Sequence, residues 1–451
     1  MTITEGIFKA YDIRGLYPSD INEEVARQIG RGFVAYLGAK RIGVSRDMRL
    51  SSPGIAAAFI QGAREQGADI TDYGMLATDM MYFGVVKDEL DGGAQITASH
   101  NPKQYNGVKM VRAGALPLSG DEGLGEIRDM IVNGRLPPIA ATPGSVLPRN
   151  LIFEYIEKVM SFIDPNVIKP FTVVLDAGSG MAGLAAPLLF GQLPCKTTTL
   201  CFNIDGNFPG HEANPLIEEN RRDITEEVLR QKADVGIAWD GDADRCFFID
   251  RSGEFISGDF ITALLAEAFL LKHPGATIIY DLRASRAVKD TVERHGGRAL
   301  MNRVGHAFIK KRMRDEDGIF AGEVTGHYYF RDFSYADNGM IPALLILELM
   351  SKKNQSLHDL LRPLRETYFI SGEINTKVAS MDDVPKKLEA IAGRYRDGRI
   401  ARLDGLSVDY PDWHFNVRAS NTEPLLRLNL EAATPEQMEQ RRDEVLSVIR
   451  G

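Results

Sequence analysis

The chain has 451 residues, of which 44% are apolar and 25% are charged, a composition typical of a globular protein of about three domains. The net charge of −9 argues against a nucleic-acid-binding surface. No apolar run is long enough to span a bilayer and no secretory signal is visible, so we expect a cytoplasmic protein with reduced cysteines that contacts neither nucleic acid nor membrane.

A short apolar run that ends in Asp and precedes a helix-like segment recurs along the chain. The copies are Arg41–Asp47, Phe171–Asp176 and Ala276–Asp281. Each is followed by a second β-like run, and these runs lie near Ile70, Thr197 and Ala299. The pattern predicts a βαβ unit that is used three times, with parallel sheets covered by helices.

The last part of the chain has a different pattern. We predict a strand over Tyr368–Val378, a helix over Asp382–Tyr395, a half-buried antiparallel strand over Leu425–Glu431 and a closing helix over Pro435–Ile449. A Gly- and Pro-rich linker follows Gly134. The sequence therefore predicts three α/β domains with mixed sheets and repeated topology, followed by an α+β domain, at residues 1–144, 145–254, 255–366 and 367–451.

Ser99 lies in a polar loop, Thr97–Pro102, directly after a predicted strand, Ala94–Thr97. Loops on a rigid scaffold often carry catalytic residues, and a serine hydroxyl there can act as a nucleophile. The loop lacks the Gly-x-Ser-x-Gly pattern of many acyl hydrolases. Taken alone, the same residues are also typical of a turn stabilised by a Ser or Asn hydrogen bond.

Asp240, Asp242 and Asp244 follow a predicted buried strand, Val235–Trp239, at a sheet edge where α/β proteins bind ligands. Three carboxylates at alternate positions repel one another unless a cation neutralises them. Mg²⁺ prefers a few carboxylates together with a substrate phosphate. The segment lacks the Gly and Glu positions of a calcium-binding EF-hand. The alternative is a solvated acidic turn.

Two further loops carry groups suited to a sugar phosphate. Arg418–Pro424 places a guanidinium, hydroxyls and an amide close together, and such groups can surround a phosphate. Glu323–His327 offers donors and acceptors to sugar hydroxyls. Either segment alone is also compatible with an ordinary loop.

A Gly-rich segment, Gly178–Gly183, matches the dinucleotide-binding pattern G-x-G-x-x-G, and Asp205 lies where a ribose-binding acid would be expected. A nicotinamide-dependent dehydrogenase is therefore an alternative from another reaction class. It leaves the aspartates, the Ser99 loop and the Arg418 loop without a role. A tight strand-to-helix connection explains the glycines more simply.

Taken together and in this order, the segments resemble the α-D-phosphohexomutase family, and within it the bacterial phosphomannomutase/phosphoglucomutase group. The N-terminal signature is similar to Phe8–Gly15, and the phosphoserine loop to Thr97–Lys109. The metal, sugar and phosphate loops are similar to Asp240–Arg245, Glu323–His327 and Arg418–Thr422. A further segment, Phe208–Leu216, is closer to the phosphomannomutase version than to the other versions. The resemblance implies four domains around a central cleft.

The resemblance also implies an isomerase that interconverts mannose 6-phosphate and mannose 1-phosphate, and glucose phosphates as well, through a phosphoserine and a hexose 1,6-bisphosphate. It implies Mg²⁺ at Asp240, Asp242, Asp244 and phosphorylated Ser99, with glucose or mannose 1,6-bisphosphate as activator. The implied catalytic residues are Ser99, His100, Lys109, Arg14, Arg245 and His327. The implied substrate-binding residues are Tyr11, Arg283, His306, Glu323, Thr325, His327, Arg418, Ser420, Asn421 and Thr422.

Several alternatives stay open. A phosphoglucosamine mutase or a sugar phosphatase would use the same phosphoserine, and a non-catalytic sugar-phosphate binder is a rival from a different class. The chain has Val324-Thr325 where the family often has Met-Ser, a difference that bears on the preferred sugar. The sequence does not rank Lys109, His100 and His327 as the residue that transfers a proton. We expect a monomer or a weak homodimer that binds small hexose phosphates.

Overall fold

A computed structural model describes residues 4–120, 122–420 and 424–451, and the chain divides into two compact units. Unit 1 is Met1–Ile256 with Thr325–Leu357, and unit 2 is Ser257–Val324 with His358–Gly451. The strands of the described residues are β1 (Ile13–Leu16), β2 (Arg41–Arg46), β3 (Asp69–Met75), β4 (Gly92–Ile96), β5 (Tyr105–Arg112), β6 (Leu116–Pro117), β7 (Val146–Pro148), β8 (Thr172–Asp176), β9 (Lys196–Leu200), β10 (Val235–Trp239), β11 (Cys246–Asp250), β12 (Phe255–Ile256), β13 (Thr277–Asp281), β14 (Arg298–Asn302), β15 (Phe320–Gly322), β16 (Tyr328–Phe330), β17 (Ala336–Asp337), β18 (Phe369–Ile370), β19 (Ile374–Lys377), β20 (Arg399–Ala401), β21 (Leu406–Asp409), β22 (Trp413–Ala419) and β23 (Leu425–Ala432).

The α-helices are α1 (Glu23–Leu37), α2 (Ser52–Glu65), α3 (Thr78–Lys87), α4 (Leu124–Val132), α5 (Ile152–Met160), α6 (Ala182–Phe190), α7 (Arg222–Gln231), α8 (Gly258–Lys272), α9 (Arg286–Arg294), α10 (His306–Asp315), α11 (Met340–Lys353), α12 (Leu357–Arg365), α13 (Asp383–Arg394) and α14 (Pro435–Arg450). Short 3₁₀ helices cover Glu5–Ile7, Ala113–Ala115, Pro165–Val167, Glu218–Arg221 and Arg331–Phe333. Among the described residues, none of the helices combines the length and the apolar character that crossing a bilayer requires.

Two sheets of unit 1 repeat one arrangement of strands. In the first, β2 pairs in parallel with β3 and β4, and β4 pairs antiparallel with β5. In the second, β8 pairs in parallel with β9 and β10, and β10 pairs antiparallel with β11. The complete orders are β1-β5-β4-β2-β3-β7, with β6 beside β5, and β12-β11-β10-β8-β9. Helices α2 and α6 connect the first parallel pair of each sheet, because parallel neighbours need a long crossover.

Unit 1 buries the strands that lead to its polar loops. Every residue of β4, β10 and β11 is buried, as expected for strands covered on both faces. The unit also contains the antiparallel pair β16–β17, which leads into the buried helix α11. Loops that begin at the ends of such strands are held by the packing of the strands behind them.

Unit 2 contains a third copy of the parallel arrangement and an antiparallel sheet. Strand β13 pairs in parallel with β14 and β15, and helix α9 connects β13 to β14. The antiparallel sheet has the order β18-β23-β22-β21-β20, with β19 also beside β23, and α13 and α14 complete this part of the unit. Alternate residues of β23 are buried from Leu426 to Leu430, which is the half-buried strand expected from the sequence.

The fold class predicted from the sequence is confirmed, including the three copies of the βαβ unit at the predicted segments. One predicted element is wrong: Tyr368–Val378 is not a single strand. The chain forms β18 and β19 instead, and Gly372 between them has φ 67°, a left-handed conformation that interrupts an extended strand. The three cysteines are free, as expected.

Candidate active site

Ser99 lies in a buried turn directly after β4. Its φ is 50°, in the left-handed region that residues other than glycine seldom adopt. Its backbone N–H donates to Thr97 Oγ1 at 2.9 Å, and its Oγ donates to Asp240 Oδ2 at 3.0 Å. Nδ1 of His100 lies 3.2 Å from the same Oγ, and burial lowers the pKa of this imidazole well below its usual range. The turn therefore fixes the Ser99 hydroxyl between a carboxylate and a neutral imidazole.

Arg49, which no sequence motif identified, holds the Ser99 loop through hydrogen bonds to its backbone. Its side chain is fully buried, and it ion-pairs with Asp47 at 3.1 Å between Nε and Oδ2. The guanidinium donates to four backbone carbonyls, at 2.8, 2.6, 2.8 and 3.1 Å, those of Ser99, Asn101, Pro102 and Tyr105. An Asp-x-Arg pattern after the repeated strand could have found it, because Asp47–Arg49 has the same spacing as Asp281–Arg283.

The Arg49→Met protein is expected to lose about 3–5 kcal/mol of unfolding free energy, because the substitution leaves Asp47 charged and buried without its cation. Urea denaturation measures the difference, with Arg41→Met as the matched control. Arg41 lies at the exposed start of β2, where its side chain bonds only to the Glu89 carbonyl among the contacts described. Equal stabilities of the two variants would contradict the role of Arg49.

Three buried carboxylates follow β10. Asp240, Asp242 and Asp244 each offer a carboxylate oxygen within 4.8 Å of the other two. Lys109 Nζ donates to Asp242 Oδ2 at 2.7 Å and to Asp244 Oδ2 at 2.5 Å, and Thr78 Oγ1 donates to Asp242 Oδ2 at 2.5 Å. Among the described residues, Asp242 Oδ1 and Asp244 Oδ1 are buried without a hydrogen-bond partner. Hard oxygen donors with two oxygens left unsatisfied fit a small divalent cation.

The electrostatics of these carboxylates also favour a cation. Burial, with repulsion from Asp244 and Asp242, raises the pKa of Asp240 to about 7. Burial would also raise the pKa of Asp242, but Lys109 outweighs burial and holds it below its usual range. Burial opposes the Lys109 charge, yet the aspartates raise its pKa well above the usual value. Lys109 and Arg245 thus face three carboxylates, and the remaining negative charge is what a metal ion would neutralise.

Arginines surround the carboxylates and the Ser99 loop. Arg245 Nε lies 3.5 Å from Asp240 Oδ2 and donates to His327 Nε2 at 2.9 Å. Arg14 Nη1 donates to Asn101 Oδ1 at 2.5 Å. These guanidiniums and Lys109 provide positive charge close to the Ser99 hydroxyl, as transfer of a phosphoryl group requires.

Unit 2 gathers a second set of charged groups around Glu373. Arg283 Nη2 lies 2.8 Å from Asp281 Oδ2 and 3.5 Å from Glu323 Oε2, and its Nη1 lies 3.5 Å from Glu373 Oε2. Burial opposes the charge of Arg283, but these carboxylates outweigh it and raise its pKa. Arg418 Nη2 lies 3.6 Å from Glu373 Oε2. Burial, followed by the charge of Arg283, lowers the pKa of Arg418.

Glu373 and Arg427 were missed by the sequence motifs. Arg427 Nη1 donates to Glu373 Oε1 at 3.1 Å, so three arginines face a single carboxylate. A carboxylate among guanidiniums presents to them the same kind of oxygens as a phosphate does. Neither residue belongs to a loop with a motif, and only the β-strand pairing of β19 with β23 brings them together.

The structure places the predicted site residues in two groups. Unit 1 brings together Ser99, His100, Lys109, Arg14, Arg245 and His327 with the three aspartates. Unit 2 brings together Arg283, Glu323 and Arg418. Tyr11 is half-buried before β1, Thr325 is half-buried in unit 1, His306 begins α10, and Ser420 is buried after β22. Asn421 and Thr422 lie outside the described residues.

Asp176, at the end of β8, is bound by His211, to which no sequence motif assigned a role. His211 Nε2 lies 2.9 Å from Asp176 Oδ2, and Nδ1 lies 2.9 Å from the Glu212 carbonyl oxygen. Both ring nitrogens face acceptors, so the ring is doubly protonated. Burial opposes this charge, but hydrogen bonds to Asp176 and Cys201 outweigh it and raise the pKa of His211 to about 11.

The His211–Asp176 ion pair gives a pH-dependent contribution to stability. Because the pKa of His211 rises from 6.5 to about 11, the contribution is complete below pH 6.5 and is lost as pH rises through about 11. We expect wild-type protein to lose more unfolding free energy than His211→Gln between about pH 7 and about pH 10 in urea denaturation. The exposed His273 supplies the control, His273→Gln. Parallel pH profiles for wild type and His211→Gln would exclude the ion pair.

Comparison with known protein families accounts for almost the whole chain. Models of phosphoglucomutase/phosphomannomutase α/β/α domains I, II and III match residues 5–135, 153–253 and 257–368, and the model of the C-terminal domain matches residues 373–448. The chain belongs to the phosphoglucomutase/phosphomannomutase family. Membership confirms the resemblance drawn from the motifs and the assignment to the phosphomutases, which are isomerases.

Relatives in this family cover the full chain. A phosphomannomutase of Salmonella montevideo is 42% identical over 449 residues, 98% of each chain. The phosphohexose mutases of Xanthomonas campestris pv. campestris strain B100 are 42% identical over 450 residues, 98% of this chain and 99% of theirs. A solved phosphoglucomutase/phosphomannomutase family protein from Burkholderia thailandensis is 32% identical, with a TM-score of 0.90 over 100% of this chain and 98% of its own.

The family assignment and the local geometry both argue against the dehydrogenase alternative. Gly180 packs against the Asp240–Arg245 loop: a Cβ on it would lie 2.6 Å from the Gly241 carbonyl oxygen. Asp205 Oδ1 accepts the backbone N–H of Asn207 at 2.8 Å, within its own turn. The glycines therefore serve a tight strand-to-helix connection, as the simpler interpretation held.

Proposed function

We propose that this chain interconverts mannose 6-phosphate and mannose 1-phosphate, and the corresponding glucose phosphates, through a phosphorylated Ser99 and a hexose 1,6-bisphosphate. The observation that carries the proposal is the Ser99 hydroxyl, 3.0 Å from Asp240 Oδ2 and beside an aspartate cluster bound by Lys109. The relatives named phosphomannomutase support mannose as the sugar. Binding alone would need neither a buried serine nor this cluster.

The metal of the proposed reaction is Mg²⁺, held by Asp240, Asp242, Asp244 and an oxygen of phosphorylated Ser99. When bound, it would neutralise phosphoryl oxygens and the excess charge of the carboxylates. Lys109 is bound to two of these aspartates and keeps its proton, so its part is to supply positive charge rather than to remove a proton. His100 and His327 remain as candidates for proton transfer to and from the sugar hydroxyl, although His327 would first have to release Arg245 from Nε2 or Asp337 from Nδ1.

The substrate's other phosphate is proposed to bind the Arg418 loop of unit 2, together with Ser420, Asn421 and Thr422. Glu323 would accept hydrogen bonds from sugar hydroxyls that occupy similar places in both orientations of the intermediate. Such contacts distinguish the C3 and C4 hydroxyls better than the C2 hydroxyl. Mannose and glucose differ at C2, so we propose activity on the phosphates of both sugars. Glucose or mannose 1,6-bisphosphate is proposed as the activator, because it phosphorylates Ser99 in enzyme that has lost its phosphate.

The four domains are proposed at residues 1–144, 145–254, 255–366 and 367–451. Strand β7 lies just after the first proposed boundary and pairs with β3 of the first sheet, which favours a boundary a few residues later. We further propose a cytoplasmic protein that acts as a monomer or weak homodimer.

The proposal is tested by supplying mannose 1-phosphate, Mg²⁺ and a trace of glucose 1,6-bisphosphate, and by following products with phosphorus NMR. We expect mannose 6-phosphate as the product. Inorganic phosphate as the sole product would indicate a phosphatase, and conversion of glucosamine 1-phosphate at a far higher kcat/KM than mannose 1-phosphate would indicate a phosphoglucosamine mutase. No conversion of any of these sugars by enzyme phosphorylated on Ser99 would refute the proposal.

A further inference from the structure

A chain of contacts between buried side chains leads from Asp337 to the metal-binding loop. Asp337 Oδ2 lies 3.0 Å from His327 Nδ1, and the two side chains are 2% and 8% exposed. On the other side of the ring, Nε2 accepts a hydrogen bond from Arg245 Nε at 2.9 Å. Arg245 in turn lies 3.5 Å from Asp240 Oδ2. His327 thus connects an aspartate outside every predicted motif to an arginine beside the Ser99 hydroxyl's acceptor.

The contact with Arg245 determines where the His327 proton lies. A guanidinium can only donate, so Nε2 of His327 must be an acceptor and the ring proton must be on Nδ1. Protonation of Nε2 would bring two N–H donors face to face at 2.9 Å. His327 Nδ1 lies 3.0 Å from Asp337 Oδ2 and 3.8 Å from Asp244 Oδ1, so the Nδ1–H is attracted by carboxylates.

Asp337 is itself held by rigid elements. In the antiparallel pair β16–β17 it lies opposite Tyr329. The next residue, Asn338, accepts the first backbone N–H groups of α11 through Oδ1, those of Met340 at 2.8 Å and Ile341 at 2.7 Å. The indole of Trp239, at the end of β10, donates to the Gly339 carbonyl at 2.8 Å. The segment that carries Asp337 is therefore tied to the strand that carries Asp240.

We propose that Asp337 is a positioning residue for the phosphoryl-transfer site. It keeps the His327 proton on Nδ1, which leaves Nε2 free of hydrogen to hold Arg245 beside Asp240. A carboxylate that fixes the tautomer of a histidine in this way also fixes what the histidine's other nitrogen can bind. The effect on catalysis rests on the proposed function and on the positive charge that Arg245 holds near the Ser99 hydroxyl. The position of the His327 proton does not depend on the proposed function.

The tautomer is measured directly by ¹⁵N NMR of protein labelled with ¹⁵N-histidine, with the His327 signal assigned from its loss in His327→Gln. We expect the wild-type ring to carry its proton on Nδ1 and none on Nε2, the nitrogen that accepts from Arg245. In Asp337→Asn the amide can present its NH₂ to Nδ1, so we expect the single tautomer to be lost. A wild-type ring protonated on Nε2 would overturn the proposal whether or not the variant folds.

Kinetics test the consequence for Arg245. We expect Asp337→Asn to lower kcat by about 10²-fold with little change in KM, because it displaces a charged group without removing a substrate contact. Asp332→Asn is the matched control, since Asp332 is 56% exposed and pairs with Arg331. Equal kcat values for the two variants would also overturn the proposal. Absence of mutase activity in the wild type would instead refute the proposed function and leave the tautomer result valid.

Discussion

The Ser99→Ala protein is expected to lose hexose phosphate interconversion by about 10⁵-fold or more while it still binds hexose phosphate. The hydroxyl is the group that carries the phosphoryl in the proposed reaction, and alanine has none. Alanine keeps a Cβ at the left-handed φ of 50°, and the Ser99 carbonyl still accepts from Arg49, so the loop should keep its conformation. A coupled assay and isothermal titration measure the two quantities.

Ser161→Ala is the matched control for this substitution. Ser161 is exposed and its Oγ donates only to the Lys158 carbonyl among the contacts described, at 2.6 Å. We expect this variant to keep wild-type activity. Ser99→Ala protein that retains a tenth or more of wild-type activity would contradict the assignment of Ser99 as the phosphate carrier.

Removing divalent cations is expected to stop interconversion reversibly. The Asp240→Asn substitution is expected to lower kcat by about 10³-fold or more, even at saturating Mg²⁺. A cation on phosphoryl oxygens contributes several kcal/mol to stabilisation of the transition state, and each 1.4 kcal/mol is about tenfold in rate. The amide of the variant has a single acceptor oxygen, whereas Asp240 uses two, Oδ2 for the Ser99 hydroxyl and Oδ1 for the Arg245 backbone N–H. Assays with chelator followed by added Mg²⁺ measure the first effect, and Asp223→Asn, at an exposed position, controls the second.

Thermal unfolding gives an independent test of the same site. Burial and the neighbouring aspartates raise the pKa of Asp240 from 3.8 to about 7, so without a cation this group stabilises the fold most below pH 3.8 and loses its contribution as pH rises through about 7. At about pH 8 without metal, we therefore expect Asp240→Asn to melt at a higher temperature than wild type. Mg²⁺ should raise the melting temperature of wild type much more than that of the variant. Equal Mg²⁺ effects on both would contradict a metal site at Asp240.

Much of the fold follows from local patterns in the sequence. An apolar run that ends in Asp identified β2, β8 and β13 and their parallel neighbours, because hydrophobic periodicity and strand ends are local properties. The single strand expected over Tyr368–Val378 failed because one glycine conformation divides it, and a propensity pattern does not contain a φ angle. The separation of the chain into two units also has no local signal.

Residues of the candidate site that belong to sequence motifs were predicted. Residues that act through partners distant in the sequence were missed. Ser99, Lys109 and the aspartates were named from the sequence, and their contacts span more than 130 positions. Arg49, Glu373 and Asp337 were not named, because a single charged residue cannot be assigned a role from the sequence until its partner in the fold is known. Each of the three binds a group that was predicted, either the Ser99 loop, Arg418 or His327.

Transfer of a labelled phosphate from Ser99 distinguishes a mutase from a phosphatase in one experiment. Enzyme carrying ³²P on Ser99 is mixed with unlabelled mannose 1-phosphate and Mg²⁺, and the label and the intact mass of the protein are followed together. We predict that the label passes to hexose phosphates while the protein keeps the mass of one phosphate, because Ser99 recovers a phosphate from the intermediate. Label released as inorganic phosphate, with a protein that becomes lighter by one phosphate, would contradict the mutase mechanism.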